Sequence, residues 1–197
     1  LCEDTRQTKK LLERHGIVNK QLTTYNEQRS GKNIEQVLNW LEEGKNLALV
    51  SDAGTPGISD PGSFLVSQVK KRFGNDVIVV PIPGANAVVA ALSASGLPAS
   101  DFLFLGFLPH KKGREKLFLE IAASKRTVAF YESPHRIYKS LESLAKHLLN
   151  TRHVIIAREL TKIHESYIRG SAAEVLAYFE KHPDEVRGEF VVLVEQG

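Results

Sequence analysis

Strand-like and helix-like segments alternate along almost the whole of this 197-residue chain. Apolar runs such as NLALVS, DVIVV and TVAFY are bounded by turn residues, which is typical of strands buried on both faces. Between them, stretches such as NIEQVLNWLEE repeat apolar residues with the 3.6-residue period of a helix. The alternation predicts an α/β fold with largely parallel sheets. A break at Gly96-Leu97-Pro98 predicts two α/β domains, residues 1–98 and 99–197.

Start and stop signals locate several elements of the first half more closely. Asp4 or Thr5 is expected to cap a helix that ends before Gly16, and Asn33 is expected to cap NIEQVLNWLEE. Asp60-Pro61 has the signature of an N-cap followed by the first helical residue of PGSFLVSQVKKRF. QLTTY is predicted to be a short strand, and ANAVVAALSAS a small-residue helix that packs closely on a sheet.

Composition excludes several classes of protein. The chain has 42% hydrophobic and 25% charged residues and a net charge of +3, which tolerates an anionic partner without requiring one. Its one cysteine, Cys2, excludes a disulfide framework and a cysteine-based zinc site within the chain. The uncharged stretch 77–100 contains prolines and glycines that disfavour a membrane span. We therefore expect a cytoplasmic protein and, because no Met is present, a fragment whose natural ends lie outside it.

The twelve-residue loop SDAGTPGISDPG (residues 51–62) is the strongest candidate for a ligand site. It directly follows a predicted buried strand, and ligands of α/β proteins bind beyond the carboxyl ends of strands. Its three glycines allow close approach of the backbone to a ligand, and its two prolines hold the loop rigid. A long surface turn is the alternative, but long ordered loops in compact domains are usually functional.

Two shorter turns share that position after a strand. PIPGANA places Pro83 and Gly84 before a helix whose first backbone N–H groups could bind an anion, although close helix–sheet packing would also explain its small residues. In FYESPHR, Glu132 could accept hydrogen bonds from a ligand or could pair with Arg136. The residues alone favour the ion pair.

Charged clusters mark two further segments. PHKKGREK carries Lys111, Lys112 and Arg114, which would contact phosphates if they lay beside a cleft and would otherwise form a solvated surface. RELTKIHE contains charged residues that could be catalytic or form a charge ladder on an edge strand. No dinucleotide, P-loop, zinc-protease or nucleophile-elbow motif occurs, nor does an aromatic RNA-recognition strand. These patterns predict an enzyme without a metal but do not identify its reaction.

Seven segments together identify a family resemblance that runs in order through essentially the whole chain: EDTR, SDAGTP, VVPIPGANAVVAALSASGLP, FLGFLP, FYESPHR, ARELTK and GEFVVLVE. The chain resembles the tetrapyrrole-methylase superfamily, and within it the bacterial branch that methylates small-subunit ribosomal RNA. The resemblance implies two α/β domains with S-adenosylmethionine (SAM) in the cleft between them, no metal, and usually a homodimer. The implied reaction is 2′-O-methylation of a cytidine in the decoding centre of 16S rRNA.

The same resemblance implies roles for particular residues. Gly54, Thr55 and Pro56 match the superfamily's Gly-Asp-Pro, which wraps the cofactor with main-chain contacts, and Thr55 replaces the acidic residue as in the ribosomal RNA branch. The full set of cofactor-binding residues expected is Asp52, Ala53, Gly54, Thr55, Pro56, Pro83, Gly84, Asn86, Ala87, Tyr131, Glu132 and Ala157. The RNA-binding residues expected are Lys111, Lys112, Arg114 and Arg136.

A ribose 2′-hydroxyl is a poor nucleophile, so its methylation requires alignment and a proton acceptor. Asp4 is the predicted base, with Arg6 and Lys162 as electrostatic partners of the RNA or the transition state. The alternative for Asp4 is a helix cap, and both roles are compatible. Relatives begin with a further strand and glycine-containing loop and extend past GEFVVLVE, so we expect an incomplete enzyme. A small-molecule (tetrapyrrole-type) methyltransferase, or a SAM- or RNA-binding module without transfer activity, remains an alternative.

Overall fold

A computed structural model gives the fold of the chain and describes residues 1–25 and 30–197. The chain forms two compact units, Leu1–Ala85 and Asn86–Gly197, called here the first and second units. The sequence placed the boundary later, after residue 98. The difference is helix α4, Ala87–Ser95, which packs on a strand of the second unit. No helix in the part of the chain described here is long and apolar enough to cross a membrane.

The helices and strands follow the predicted alternation in the second unit and only partly in the first. The first unit contains helices α1 Thr5–Arg14, α2 Ser30–Glu42 and α3 Ser63–Phe73. The second unit contains, in chain order, α4 Ala87–Ser95, β1 Phe102–Phe107, α5 Arg114–Ala123, β2 Thr127–Glu132, α6 Ile137–His147, β3 Val154–Arg158, β4 Ser166–Gly170, α7 Ala172–Lys181, a short 3-10 helix Pro183–Glu185, and β5 Phe190–Val194.

The second unit is built on a five-stranded mixed sheet with strand order β1-β2-β5-β3-β4. Only β1 and β2 pair in parallel, whereas β2–β5, β5–β3 and β3–β4 are antiparallel. The prediction of a largely parallel sheet is therefore wrong here. Helices α5 and α6 do connect strands that run in one direction. However, β4 turns back after a seven-residue connection, and β5 inserts antiparallel between β2 and β3.

Apolar side chains cover both faces of this sheet, which explains the continuous apolar runs of β2, β3 and β5. One face packs against α5, α6 and α7 through buried residues that include Phe118, Leu141 and Phe179. The opposite face packs against α4 through a smaller cluster that includes Val88, Ala91 and Leu92. Helix α7 begins with a complete capping box formed by Ser171 and Glu174.

The first unit holds its N-terminal residues between two other segments. Cys2 forms isolated parallel bridges with both Thr24 and Val50, and the backbone N–H of Val50 donates to Leu1 O at 2.9 Å. Helices α2 and α3 supply a separate core cluster that contains Val37, Leu38, Leu65 and Val69. Leu1 and Cys2 therefore lie where a central strand would lie.

Three strands predicted in this unit are not formed as strands in the described residues. QLTTY and NLALVS contribute only the single bridges at Thr24 and Val50. DVIVV is neither a strand nor buried, since Ile78 is 81% and Val80 67% exposed. The buried-strand prediction for DVIVV is wrong because a continuous apolar run becomes a buried strand only when neighbouring elements cover both faces.

Two predicted helix starts are also wrong. Asn33 lies inside α2, which begins at Ser30, and its side-chain Nδ2 donates to Thr24 O at 3.4 Å. Helix α3 begins after Gly62, not after Asp60. Asp4 does cap α1, because its Oδ1 accepts from the backbone N–H of Arg6 at 2.8 Å.

Candidate functional site

The loop at residues 51–62 is a tightly folded structure lined by backbone. Gly54, Gly57, Ser59 and Gly62 all have positive φ, between +62° and +148°. A Cβ on Gly62 would lie 2.7 Å from a Leu49 methyl and 3.3 Å from the backbone nitrogen of Gly57, so the chain approaches itself closely there. The loop thus adopts a shape that glycine makes accessible.

This loop contacts the turn at residues 83–85 within the first unit. The Thr55 hydroxyl donates to Ala85 O at 3.0 Å. Gly54 has φ +68°, and a Cβ on it would meet only Ala85 O, at 3.9 Å. The backbone at Gly54 therefore faces open space, into which a ligand could approach. Asp52–Pro56, Pro83 and Gly84 share this part of the first unit.

An open cavity of about 310 Å³ lies beside the start of the loop. Its lining residues come from one face of α1 and from the segment that enters the loop: Gln7, Thr8, Leu11, Val50, Ser51 and Asp52. This volume is at the lower end of the range for small-molecule sites. The cavity therefore extends the loop region into a place that could hold part of a ligand.

Two adjacent carboxylates at the start of α1 have opposite electrostatic environments. Hydrogen bonds from the Arg6 side chain and backbone lower the pKa of Asp4 to about 2. Burial, followed by the negative charge of Asp60, raises the pKa of Glu3 above its ordinary value. Glu3 Oε1 is buried and has no hydrogen-bond partner in the described structure. Glu3 is thus the better proton acceptor at neutral pH, and Asp4 is held as an anion by Arg6.

The sequence did not identify Glu3 as a candidate base, because Glu3 and Asp4 are adjacent carboxylates and no local pattern distinguishes one from the other. Glu3 directly follows Cys2, which bridges to Val50, and the backbone N–H of Asp52 lies close enough to lower the pKa of Glu3 in part. Glu3 therefore sits beyond the end of the Cys2 bridge, beside the start of the glycine-rich loop. This position depends on the bridge between Cys2 and Val50, which are far apart in the sequence, so no local pattern predicts it.

Asn86 and Ala87 begin α4 in the second unit. Asn86 Oδ1 accepts from the backbone N–H groups of Val88, at 3.0 Å, and Val89, at 3.2 Å. The expectation of free donors at this helix start is wrong for these two groups, because the Asn86 side chain already caps them.

Three of the expected cofactor residues lie where α4 packs on one face of the second unit's sheet. Ala87, Tyr131 and Ala157 belong to the cluster between α4 and the sheet. Ala157 is completely buried, whereas Tyr131 at the end of β2 is partly exposed. The structure therefore groups these residues, and Tyr131 is the one with surface available.

Glu132 lies on the other face, at the centre of a buried ion-pair network. Arg114 Nη2 donates to Glu132 Oε2 at 3.0 Å, and Arg136 Nε lies 2.8 Å from Glu132 Oε1. Ser140 Oγ donates to the same Oε2 at 2.6 Å. The Glu132 side chain is 0% exposed, and those of Arg114 and Arg136 are 14% and 16% exposed. The predicted ion pair is confirmed, and this burial argues against direct contact of the Glu132 carboxylate with a cofactor.

The basic loop divides into anchoring and free cations. Arg114 also donates to Pro109 O at 3.1 Å, and Arg136 donates to Leu108 O at 2.8 Å, so both arginines hold the loop in place. Lys111 and Lys112 are exposed. Of the four residues predicted to bind RNA, only these two lysines are clearly presented to solvent.

Lys162 lies in the connection between β3 and β4, within a local charge network. Its Nζ donates to Glu159 Oε1 at 2.9 Å and to Glu189 Oε2 at 3.2 Å. The Glu159 contact raises the pKa of Lys162, and Lys162 in turn lowers the pKa of Glu159. Glu159 and Thr161 have positive φ, which is uncommon for residues with side chains. In the described residues no group of three or more His, Cys, Asp or Glu side chains is arranged to hold a metal ion.

Comparisons with known proteins point to one family. The family model for tetrapyrrole (corrin/porphyrin) methylases matches residues 1–176. A ribosomal RNA small subunit methyltransferase I of Halalkalibacterium halodurans is 46% identical over 98% of this chain and 65% of its own length. One of the same name from Thermotoga maritima is 43% identical over 92% of this chain and 79% of its own length. The chain thus spans just under two thirds of the length of the first relative.

Solved structures with the same fold are more distant in sequence. The methyltransferase CobJ superposes with a TM-score of 0.63 at 23% identity, over 84% of this chain and 71% of that chain. A uroporphyrin-III C-methyltransferase from Thermus thermophilus, complexed with S-adenosyl homocysteine, has a TM-score of 0.55 at 16% identity. That match covers 83% of this chain and 72% of that one. At these identities the structures establish the fold.

Proposed function

The chain belongs to the tetrapyrrole methylase family, and on that premise we propose that it is the SAM-dependent methyltransferase of a cytidine 2′-oxygen in 16S rRNA of the small ribosomal subunit. The observation that carries the proposal is the 46% identity to a ribosomal RNA small subunit methyltransferase I over 98% of this chain. The direct test is transfer of a labelled methyl group from SAM to small ribosomal subunits. We further propose that the protein acts in the cytoplasm as a homodimer, as the family resemblance implies.

The glycine-rich loop fits SAM through its backbone. Positive φ at Gly54 and the open space beside it allow main-chain N–H and C=O groups to approach a ligand. SAM carries a carboxylate that pairs with N–H groups and a sulfonium that tolerates carbonyl oxygens, and when bound it supplies an electrophilic methyl group. In the first unit, Asp52, Ala53, Gly54, Thr55, Pro56, Pro83 and Gly84 would hold it. In the second unit, Asn86, Ala87, Tyr131 and Ala157 are the proposed contacts.

The chain's own chemistry is alignment of the ribose and removal of its proton. Glu3 is the carboxylate that the electrostatics favour as proton acceptor, because its buried Oε1 has no partner among the described residues. Asp4 is already bound to Arg6 and retains its confirmed role as the cap of α1. Arg6, with a side chain 85% exposed, and Lys162 are proposed to offset the negative charge of the RNA.

Two rival functions differ from the proposed one. The first has another substrate, and the second transfers no methyl group. A methyltransferase of tetrapyrrole-type small molecules would label the free small molecule and not the ribosomal subunit, whereas the exposed Lys111 and Lys112 that follow β1 suit the phosphates of RNA. A binding module without transfer would bind SAM or RNA but leave small ribosomal subunits unlabelled. The replacement of the acidic loop residue by Thr55 also favours RNA over a tetrapyrrole, on the resemblance to the ribosomal RNA branch.

Replacement of Gly54 by valine is expected to abolish SAM binding. A β-branched residue at φ +68° is strained, and its side chain would fill the open space beside the backbone. Titration calorimetry of the complete gene product with SAM measures the effect. Gly74→Val is the matched control, because Gly74 has φ +57° and open space around it but lies at the end of α3. Full titration heat for Gly54→Val would remove the loop from the cofactor site.

Replacement of Lys111 and Lys112 together by glutamate is expected to weaken RNA binding and to reduce its dependence on salt. The slope of log K against log salt is negative, and each lost phosphate contact reduces its magnitude by about 0.7 for a single strand. The loss of two contacts should therefore reduce the magnitude of the slope by about 1.4. Fluorescence anisotropy with labelled RNA at several salt concentrations gives the slope. Lys125 and Lys139, exposed in the same unit, provide a control pair with the same change in charge. An equal loss of slope in the control pair would contradict a specific contact.

A further inference from the structure

Strand β1 ends in a bulge that changes the direction of one aromatic side chain. Phe104 is opposite Ala129 and Phe107 is opposite Tyr131, so three residue steps on β1 match two on β2. Gly106, inside the bulge, has φ +60°. Regular alternation would put Phe104 and Phe107 on opposite faces of the sheet. The extra residue instead puts both on the face that carries Tyr131, and bulges often redirect a side chain beside a functional site.

The redirected ring joins an aromatic cluster but stays largely exposed. The ring centroid of Tyr131 is 5.1 Å from that of Phe104 and 5.2 Å from that of Phe107. These distances are typical of favourable aromatic pairs. Phe107 nevertheless leaves 58% of its surface in solvent. The cluster therefore holds the Phe107 ring in place while much of its surface is open to a planar ligand.

Cations follow this ring directly along the chain. Leu108 and Pro109 are held by Arg136 and Arg114, and Lys111 and Lys112 then extend into solvent. Because successive Cα atoms are 3.8 Å apart, the Cα atom of Lys111 lies at most about 15 Å from the Cα atom of Phe107. An exposed ring beside free lysines is the combination by which proteins bind single-stranded nucleic acids, since bases stack on the ring and phosphates pair with the cations.

We propose that Phe107 is a stacking platform for an unpaired base of the RNA substrate, with Lys111 and Lys112 holding the adjacent phosphates. This inference rests on the proposed function and adds to it a binding surface for the nucleotides around the target. The charge of the loop favours RNA over an apolar protein partner. The adenine of SAM is the other planar group that could occupy the ring, and the experiment separates the two.

The test compares Phe107→Ala with the wild-type complete gene product in two binding assays. One measures the affinity for a twelve-nucleotide single-stranded pyrimidine RNA, and for the same backbone without bases. The other measures the affinity for SAM by calorimetry. We expect Phe107→Ala to weaken binding of the RNA by about 5- to 150-fold, the range found for loss of one stacked base. Binding of the base-free strand and of SAM should remain unchanged.

Two further variants separate stacking from folding. Leu149→Ala removes another large exposed apolar side chain of the same unit, 73% exposed, and should leave RNA binding unchanged. Phe107→Trp should retain RNA affinity, and its fluorescence, after subtraction of the Trp40 signal, should be quenched by the RNA. Equal RNA affinity of wild type and Phe107→Ala would overturn the inference, as would a loss confined to SAM. A wild-type protein that binds neither this RNA nor small ribosomal subunits would instead overturn the proposed function.

Discussion

Replacement of Glu132 by alanine is expected to lower the free energy of unfolding by about 3–5 kcal/mol. This is the usual cost of removing one partner of a buried ion pair while the other partner stays buried. The carboxylate is completely buried and accepts from Arg114, Arg136 and Ser140. Without it, two guanidinium groups that are mostly buried lose their counter-charge. Arg114 and Arg136 also hold the start of the basic loop, so this loop should loosen as well.

Denaturant unfolding of the complete gene product measures this loss. Glu142→Ala is the control, because Glu142 is an exposed glutamate on α6 and its removal should change stability by less than about 0.5 kcal/mol. A loss of stability for Glu132→Ala no larger than that of the control would show that the network contributes nothing to the folded state. Glu132 would then be free to contact a ligand, as the family resemblance implied.

Replacement of Glu3 by glutamine is expected to lower kcat/KM for methyl transfer by about 10²–10⁴-fold, the usual contribution of a positioned general base. Glutamine keeps the shape of the side chain but cannot accept the ribose proton. Asp4→Asn is the matched neighbour, and it should lower the rate far less, because the pKa of Asp4 is already about 2.

The pH profile distinguishes these two carboxylates further. A base acts only when deprotonated, so the wild-type rate should fall as the pH decreases through the pKa of Glu3. Burial raises that pKa, so the midpoint should lie above the ordinary value for glutamate, whereas an Asp4 base would place it near 2. Asp4→Asn should retain the wild-type midpoint. A fall in rate for Asp4→Asn as large as for Glu3→Gln would return the role of base to Asp4.

The second unit could be predicted well from the sequence, because its signals are local. The capping box of Ser171 and Glu174, and apolar runs such as TVAFY, locate α7 and β2 without knowledge of the rest of the fold. The strand order could not be predicted in this way. The antiparallel insertion of β5 depends on which neighbours leave space for it, and its apolar sequence FVVLV suits either direction.

In the first unit, local sequence signals predicted strands that did not form in the part of the chain described here. NLALVS and DVIVV have the sequence of buried strands, yet the described residues form only isolated bridges, and Ile78 is 81% exposed. Propensity and apolar content state what a segment can form, and pairing with a neighbour decides whether it does. Patterns of this kind therefore predicted an α/β fold correctly and the burial of DVIVV incorrectly.

The candidate site was predictable only where its features depend on local sequence. Glycines at 54, 57 and 62 are visible in the sequence, and each has positive φ in the structure. The role of Arg114 was not visible, because its partners Glu132 and Ser140 are 18 and 26 residues away. The contrast between Glu3 and Asp4 also depends on distant groups, namely Asp60 and the bridge of Cys2 to Val50.

The most direct test of the proposed activity is methyl transfer to its substrate. The complete gene product would be incubated with methyl-labelled SAM and small ribosomal subunits from cells that lack its gene. We predict label in 16S rRNA at one cytidine, at a linkage that resists alkaline hydrolysis because the 2′-oxygen is methylated. Gly54→Val should transfer none. Subunits that stay unlabelled by a wild-type protein that binds SAM, or label on a base, would contradict the proposal.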